Sequence, residues 1–133
     1  MKRNGFGLVW GGVMLLGAAV LARAWTDDLQ PLTFPLGCES TACELLKGEP
    51  QTRGMRSGSV KLRTGESVGW HSTAGYEETL TILQGSGVVK LAGQKDLALQ
   101  EKTLVYIPPN TRHNVTNTGS EVLAYVWVVA PVK

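Results

Sequence analysis

Histidine is almost missing from this chain, which carries only His71 and His113 in 133 residues. Cysteine is equally scarce, limited to Cys38 and Cys43. With both imidazoles needed in the pattern described below, no Ser/His or Cys/His nucleophile set remains. A cysteine-based metal site lacks the second pair or nearby histidine it would need. The chain also has no internal repeat and little net charge, formally +2.

Even that small positive charge belongs to the first residues. Lys2 and Arg3 precede an apolar run from Phe6 to Leu21, and Ala22-Arg23-Ala24 places small residues where a signal peptidase reads. Residues 1–24 are therefore read as a signal peptide, cleaved after Ala24. A retained anchor is the alternative, disfavoured by Gly7, Gly11, Gly12 and Gly17 within the run. Export implies a periplasmic or secreted protein, with no membrane contact once the signal is gone. Losing Lys2, Arg3 and Arg23 leaves ten basic against eleven acidic residues, so nothing suggests a surface that tracks nucleic acid. In an oxidising compartment, Cys38 and Cys43 are expected to close a small disulfide loop. So short a loop implies local rigidity rather than a large gain in stability.

Residues 25–57 read as an N-terminal arm. Pro31 and Pro35 favour an extended course, and Ala42–Lys47 is expected to form one helical turn. Such an arm could cover a sheet edge or reach a second subunit, giving a homodimer. Residues 58–133 differ in kind: short apolar-rich runs alternate with turns such as Gly93-Gln94-Lys95-Asp96 and Asn117-Thr118-Gly119. Strands are expected over 59–63, 67–73, 77–83, 88–92, 97–99, 103–107, 113–116 and 122–129. Many short strands with evenly spaced turns indicate an all-β sandwich or barrel.

Period two then selects among the polar residues. Glu78 shares a strand face with Leu80 and Ile82, whereas Glu77 shares its face with Thr79 and Thr81. His71 and Thr73 likewise share a face, so His71, Thr73 and Glu78 converge on one interior. A carboxylate there must be paired or metal-bound, because an unpaired buried charge is very costly. Arg112, beside His113, is the arginine nearest in sequence for a carboxylate substrate, but alternation turns it outward. Trp70, Tyr76, Tyr106, Tyr125 and Trp127 could line a pocket, although aromatics in such strands are more often core or interface residues. Asn114-Val115-Thr116 fits a glycosylation acceptor but overlaps the His113 strand, which argues against its use.

Two spaced patterns carry a family resemblance. The first is Gly65-x5-His71-x-Thr73-x4-Glu78-x6-Gly85 and the second is Pro108-x-Asn110-x2-His113-x3-Asn117. Together they resemble the paired motifs of the cupin superfamily, small antiparallel barrels of jelly-roll type, over about residues 58–131. Thr73 stands where those motifs have a second histidine. Lys102 and Asn110 stand where they have glycines, and asparagine tolerates the left-handed conformation expected there.

Carried over residue by residue, the resemblance implies a divalent metal held by His71, Glu78 and His113. Thr73 and Asn117 would lie around it, Thr73 as a strand-filling residue and Asn117 as a turn stabiliser unless they touch the site. Two imidazoles and one carboxylate suit Fe, Mn, Ni or Zn and leave positions open. Two functions follow from the resemblance: an oxygen-dependent dioxygenase acting on a small organic molecule, or a non-catalytic module that binds a small molecule or a metal ion.

Overall fold

The structure is a computed structural model that describes residues 29–133 except Cys38. The expected signal peptide therefore lies outside the described residues, as does the Cys38 half of the expected disulfide. Cys43 is disulfide-bonded.

The described residues contain eight strands and no helix: β1 (Ala42–Lys47), β2 (Arg56–Leu62), β3 (Tyr76–Gln84), β4 (Ser86–Leu91), β5 (Leu97–Gln100), β6 (Leu104–Ile107), β7 (His113–Thr116) and β8 (Leu123–Pro131). They form two antiparallel sheets, one of five strands in the order β1-β2-β8-β3-β6 and one of three in the order β5-β4-β7. Both sheets contribute to a single core, with Val60, Leu62, Leu80, Ile82 and Leu123 from the larger and Val89, Leu99 and Val115 from the smaller. This is an all-β sandwich of the kind expected from the strand pattern, in the jelly-roll form that the resemblance implied.

Alternation decides what faces inward. In β3, Glu78, Leu80 and Ile82 are buried while Thr81 and Leu83 are exposed. Removing each of the two aliphatic side chains from water contributes about 1.5–3 kcal/mol, enough to hold the strand in this register. A slip of one residue would expose both and bring Leu83 inside.

Two local expectations are overturned. Ala42–Lys47 is not a helical turn but an edge strand paired to β2, with Ala42 opposite Val60 and Lys47 opposite Arg56. The available ladder on β2 outweighs a weak local helical preference. Arg56 ties the two strands together, its Nε and Nη2 donating to Glu44 Oε1 at 2.7 and 2.6 Å.

The strand expected over 67–73 is reduced to two bridges, Ser67 with Thr116 and His71 with His113. Four residue steps on one side span three on the other, so one extra residue is accommodated between the bridges. Gly69, at φ 88°, takes the left-handed turn that absorbs it.

Lys102 and Asn110 both have positive φ, 63° and 61°. The backbone thus keeps the conformation that glycine would supply at these two motif positions, although neither residue is glycine. For Lys102 the penalty is about 1–2 kcal/mol. The bonds from Lys102 N to Ile82 O and from Ile82 N to Thr103 O, both 2.9 Å, hold that turn closed.

Candidate metal centre

The bulge at Gly69 shapes the site. In a regular strand Val68 and His71 would face opposite sides, yet both line the same cavity of about 330 Å³. The extra residue therefore brings Val68 to the side that His71 and Thr73 share. The paired hydrogen bonds His71 N to His113 O at 3.0 Å and His113 N to His71 O at 2.9 Å hold the two histidines side by side. Their ring centroids lie 4.3 Å apart, tilted by 60°.

Each imidazole is anchored in the same way. Nδ1 of His71 lies 3.0 Å from the carbonyl of Gly69, and Nδ1 of His113 lies 2.9 Å from that of Thr111. A carbonyl only accepts, so Nδ1 carries the proton and, in the neutral ring, Nε2 is left with its lone pair. This is how a metal-binding histidine is usually oriented, with the far nitrogen tied back to the protein.

Glu78 completes the set from β3. Potential ligand atoms of His71, Glu78 and His113 all lie within 4.8 Å of one another. Glu78 is 5% exposed and His113 fully buried, while His71 sits at the open side. Glu78 Oε2 is 3.4 Å from His113 Nε2, long for a hydrogen bond, and both atoms are buried without any other partner. A carboxylate oxygen and an imidazole lone pair facing each other across that gap call for a cation between them, either a proton or a metal ion. Burial alone would push the His113 imidazole down, but Glu78 and the Thr111 carbonyl outweigh it and hold its pKa above the ordinary histidine range. The donor types, their convergence and the two buried atoms without partners all fit a divalent ion.

The other expected residues separate into those at the cavity and those elsewhere. Thr73 lines the cavity, and its hydroxyl donates to the Tyr76 carbonyl at 3.3 Å, closing the turn into β3. Asn117 is buried but does not support the site. Its amide donates to Leu62 O at 2.8 Å and Glu121 O at 2.7 Å, and its Oδ1 accepts from Gly119 N at 2.9 Å. Those bonds use both of its N–H groups at the end of β7 away from His113, so Asn117 acts as a turn stabiliser rather than a metal-site partner. Asn114, of the glycosylation pattern, is 8% exposed.

Of the five aromatics considered, Tyr125 and Trp127 line the cavity. Trp70 is instead outside, with the Arg112 guanidinium 5.5 Å from its ring centre, and Tyr106 donates to Glu77 Oε2 at 3.1 Å on the outer face. Burial, aided by the Glu78 charge, pushes the Tyr125 phenol well above its usual range, so it stays a neutral donor. Gly58 makes room for Trp127: a Cβ there would lie 2.6 Å from the indole and collide with the Cys43 carbonyl. Arg56, at the start of β2, also lines the cavity and was not anticipated. Its sequence signal was only its parity with Gly58 and Val60, at a position read as belonging to the arm.

The cupin domain model matches residues 58–129, more than half of the chain. The chain belongs to the cupin family. It is 34% identical over 77 residues to YrkC of Bacillus subtilis (strain 168), an uncharacterised protein, and that match spans 54% of this chain but only 41% of the relative. Among solved structures, it resembles an RmlC-like cupin with a double-stranded β-helix fold from Methanocaldococcus jannaschii (TM-score 0.61, 21% identity, 76% of this chain and 91% of that one). It also resembles a predicted oxalate decarboxylase from Thermotoga maritima (TM-score 0.54, 23% identity, 71% of this chain and 95% of that one). At such identities these likenesses establish the fold, which hosts many activities.

Proposed function

We propose that this cupin is an exported metalloprotein holding a divalent ion on His71, Glu78 and His113, and that it acts as an oxygen-dependent dioxygenase on a small organic molecule. The observation that carries the metal reading is the pair of buried atoms without partners, Glu78 Oε2 and His113 Nε2, facing each other 3.4 Å apart beside a second imidazole anchored in the same way. A two-histidine, one-carboxylate set with positions left open is the arrangement of many non-haem iron oxygenases. Once bound, the ion would polarise a substrate oxygen and, if redox-active, give access to dioxygen.

The chain's own residues do the remainder. Val60, Val68, Val115, Trp127 and Val129 exclude water and pack a hydrocarbon body. Tyr125 offers a neutral hydroxyl, and Glu78 supplies the carboxylate of the ligand set. Thr73, in place of a third histidine, contributes a hydroxyl already committed to the Tyr76 carbonyl and so leaves that side of the cluster free for ligand.

The test begins with bound metal per subunit, measured by mass spectrometry on the purified chain and on His71→Ala and His113→Ala variants. Near-stoichiometric metal lost in both variants supports the centre. Sub-stoichiometric metal indifferent to both substitutions overturns it. Oxygen uptake by the iron-loaded protein, over a panel of small organic acids and phenols, then tests the reaction. Tight binding with no uptake across the panel would replace the dioxygenase by a binding module. Export is tested separately by locating the chain in a cell fraction and sequencing its N-terminus, where a start at Trp25 is expected.

A further inference from the structure

We infer that Arg56 is the carboxylate-recognition residue of this cavity, and that the ligand it selects is a small organic monoacid with a compact apolar body. This rests on the metal reading above, because the opposite end of the ligand would face the His71–Glu78–His113 cluster.

The register of the large sheet makes the case. Arg56 of β2 pairs with Val129 of β8, and Val129 pairs with Glu78 of β3. The three residues form one row across three adjacent strands, and all three side chains line the cavity. The backbones of Arg56 and Glu78 are thus two strand spacings apart, about 10 Å. That row places a cation and the metal-ligating carboxylate on one wall, with an aliphatic side chain between them.

Charge points the same way. Arg56 is the cation among the cavity-lining residues and Glu78 the carboxylate. A divalent ion on the cluster exceeds the single charge of Glu78, so the loaded cavity is positive before Arg56 is counted. Glu44 offsets one further charge from outside the cavity lining. An anionic ligand restores balance, whereas a cationic one would add to the excess.

Donor capacity is also available. A guanidinium has five N–H groups, and Arg56 spends Nε and one Nη2 hydrogen on a single oxygen of Glu44. Three donors are left over on a side chain that is about half exposed at the cavity rim. A planar fork of that kind matches a carboxylate bidentately. The cavity of about 330 Å³ is at the small end for ligand sites, which limits the body to a few carbons or one ring. Arg112, the arginine next to a metal ligand in sequence, takes no part because it lies outside over Trp70.

The test compares binding of isobutyrate and benzoate with their uncharged amides, isobutyramide and benzamide, using calorimetry on the metal-loaded full chain and on the same protein after chelation. The acids should bind more tightly than the amides. Arg56→Gln should weaken acid binding about tenfold or more while leaving amide binding and metal content unchanged, and Arg56→Lys should fall between. Glu44→Gln removes the same β1–β2 ion pair but keeps the Arg56 charge, so it controls for loss of that tie and should retain the acid preference. The proposal is overturned if acid and amide bind equally. It is equally overturned if Arg56→Gln binds the acids as the wild type does, or if neither acid binds at millimolar concentration. A wild-type chain that takes up no metal yet still prefers acids through Arg56 would defeat the metal reading and leave the arginine assignment standing.

Discussion

Replacing Glu78 by glutamine separates the charge of one proposed ligand from the packing around it. The side chain keeps its shape among buried neighbours, and in the metal-free protein its amide can donate to His113 Nε2, which now has no partner. The metal-free fold should therefore lose little. What disappears is the single carboxylate on the cavity wall. With free metal at about a hundred times its dissociation constant, the wild type gains about 2.7 kcal/mol, roughly 10–20 °C in Tm for a domain of this size.

Losing a ligand should weaken affinity by about a hundredfold, which at the same metal concentration cuts the gain to about 0.4 kcal/mol, or about 2–3 °C. Thermal melts followed by circular dichroism, in chelator and then in Mn or Zn, read both quantities. His113→Ala is the contrasting variant. It leaves Glu78 buried beside nothing and should cost the metal-free protein about 3–5 kcal/mol. A metal-dependent shift in Glu78→Gln equal to that of the wild type would refute the ligand assignment. So would a metal-free Glu78→Gln that falls as far as His113→Ala, because the carboxylate would then be structural.

Metal affinity should fall on acidification through the raised pKa of His113, about tenfold per pH unit where one proton is displaced, as titrations at several pH values would show. For the metal-free fold the same shift acts in the opposite sense. A histidine pKa raised by folding contributes stability below the unfolded value and loses it as pH rises through the folded one, so melts with and without metal should diverge in sign across that window. Lys102→Gly should stabilise the protein by up to about 1 kcal/mol by relieving a left-handed lysine, whereas Asn110→Gly should be nearly neutral, and denaturant midpoints would separate them. Asn117→Ala should cost about 2–4 kcal/mol through lost bonds to Leu62, Glu121 and Gly119, yet leave metal stoichiometry unchanged.

The parts of the site legible in the sequence were those governed by local rules. Strand parity placed Glu78 inside and Glu77 outside because a β-strand turns successive side chains to opposite faces. The same rule sent Arg112 outward, and the tolerance of asparagine for positive φ anticipated Asn110. Lys102 follows the glycine conformation too, although its own chemistry gives no hint of it. Parity also held for His71 and Thr73, which line the cavity with Glu78, but it broke at Gly69, where an inserted residue turned Val68 to that same side. The helical turn expected for Ala42–Lys47 failed for another reason, because a short local preference could not reveal the open edge of β2 waiting for a partner.

By itself, then, the sequence determined a chain of short antiparallel strands, two histidines and one inward carboxylate in spacings that resemble a cupin. Those properties depend on side-chain type and on a period of two. Only the tertiary structure decided that Arg56 lies in the same row as Val129 and Glu78, that Tyr125 and Trp127 rather than Trp70 or Tyr106 wall the cavity, and that Asn117 serves the loop instead of the metal. Those facts come from strand order and register, set when residues more than fifty apart in the chain pack against each other. No local pattern encodes which strand will lie beside which.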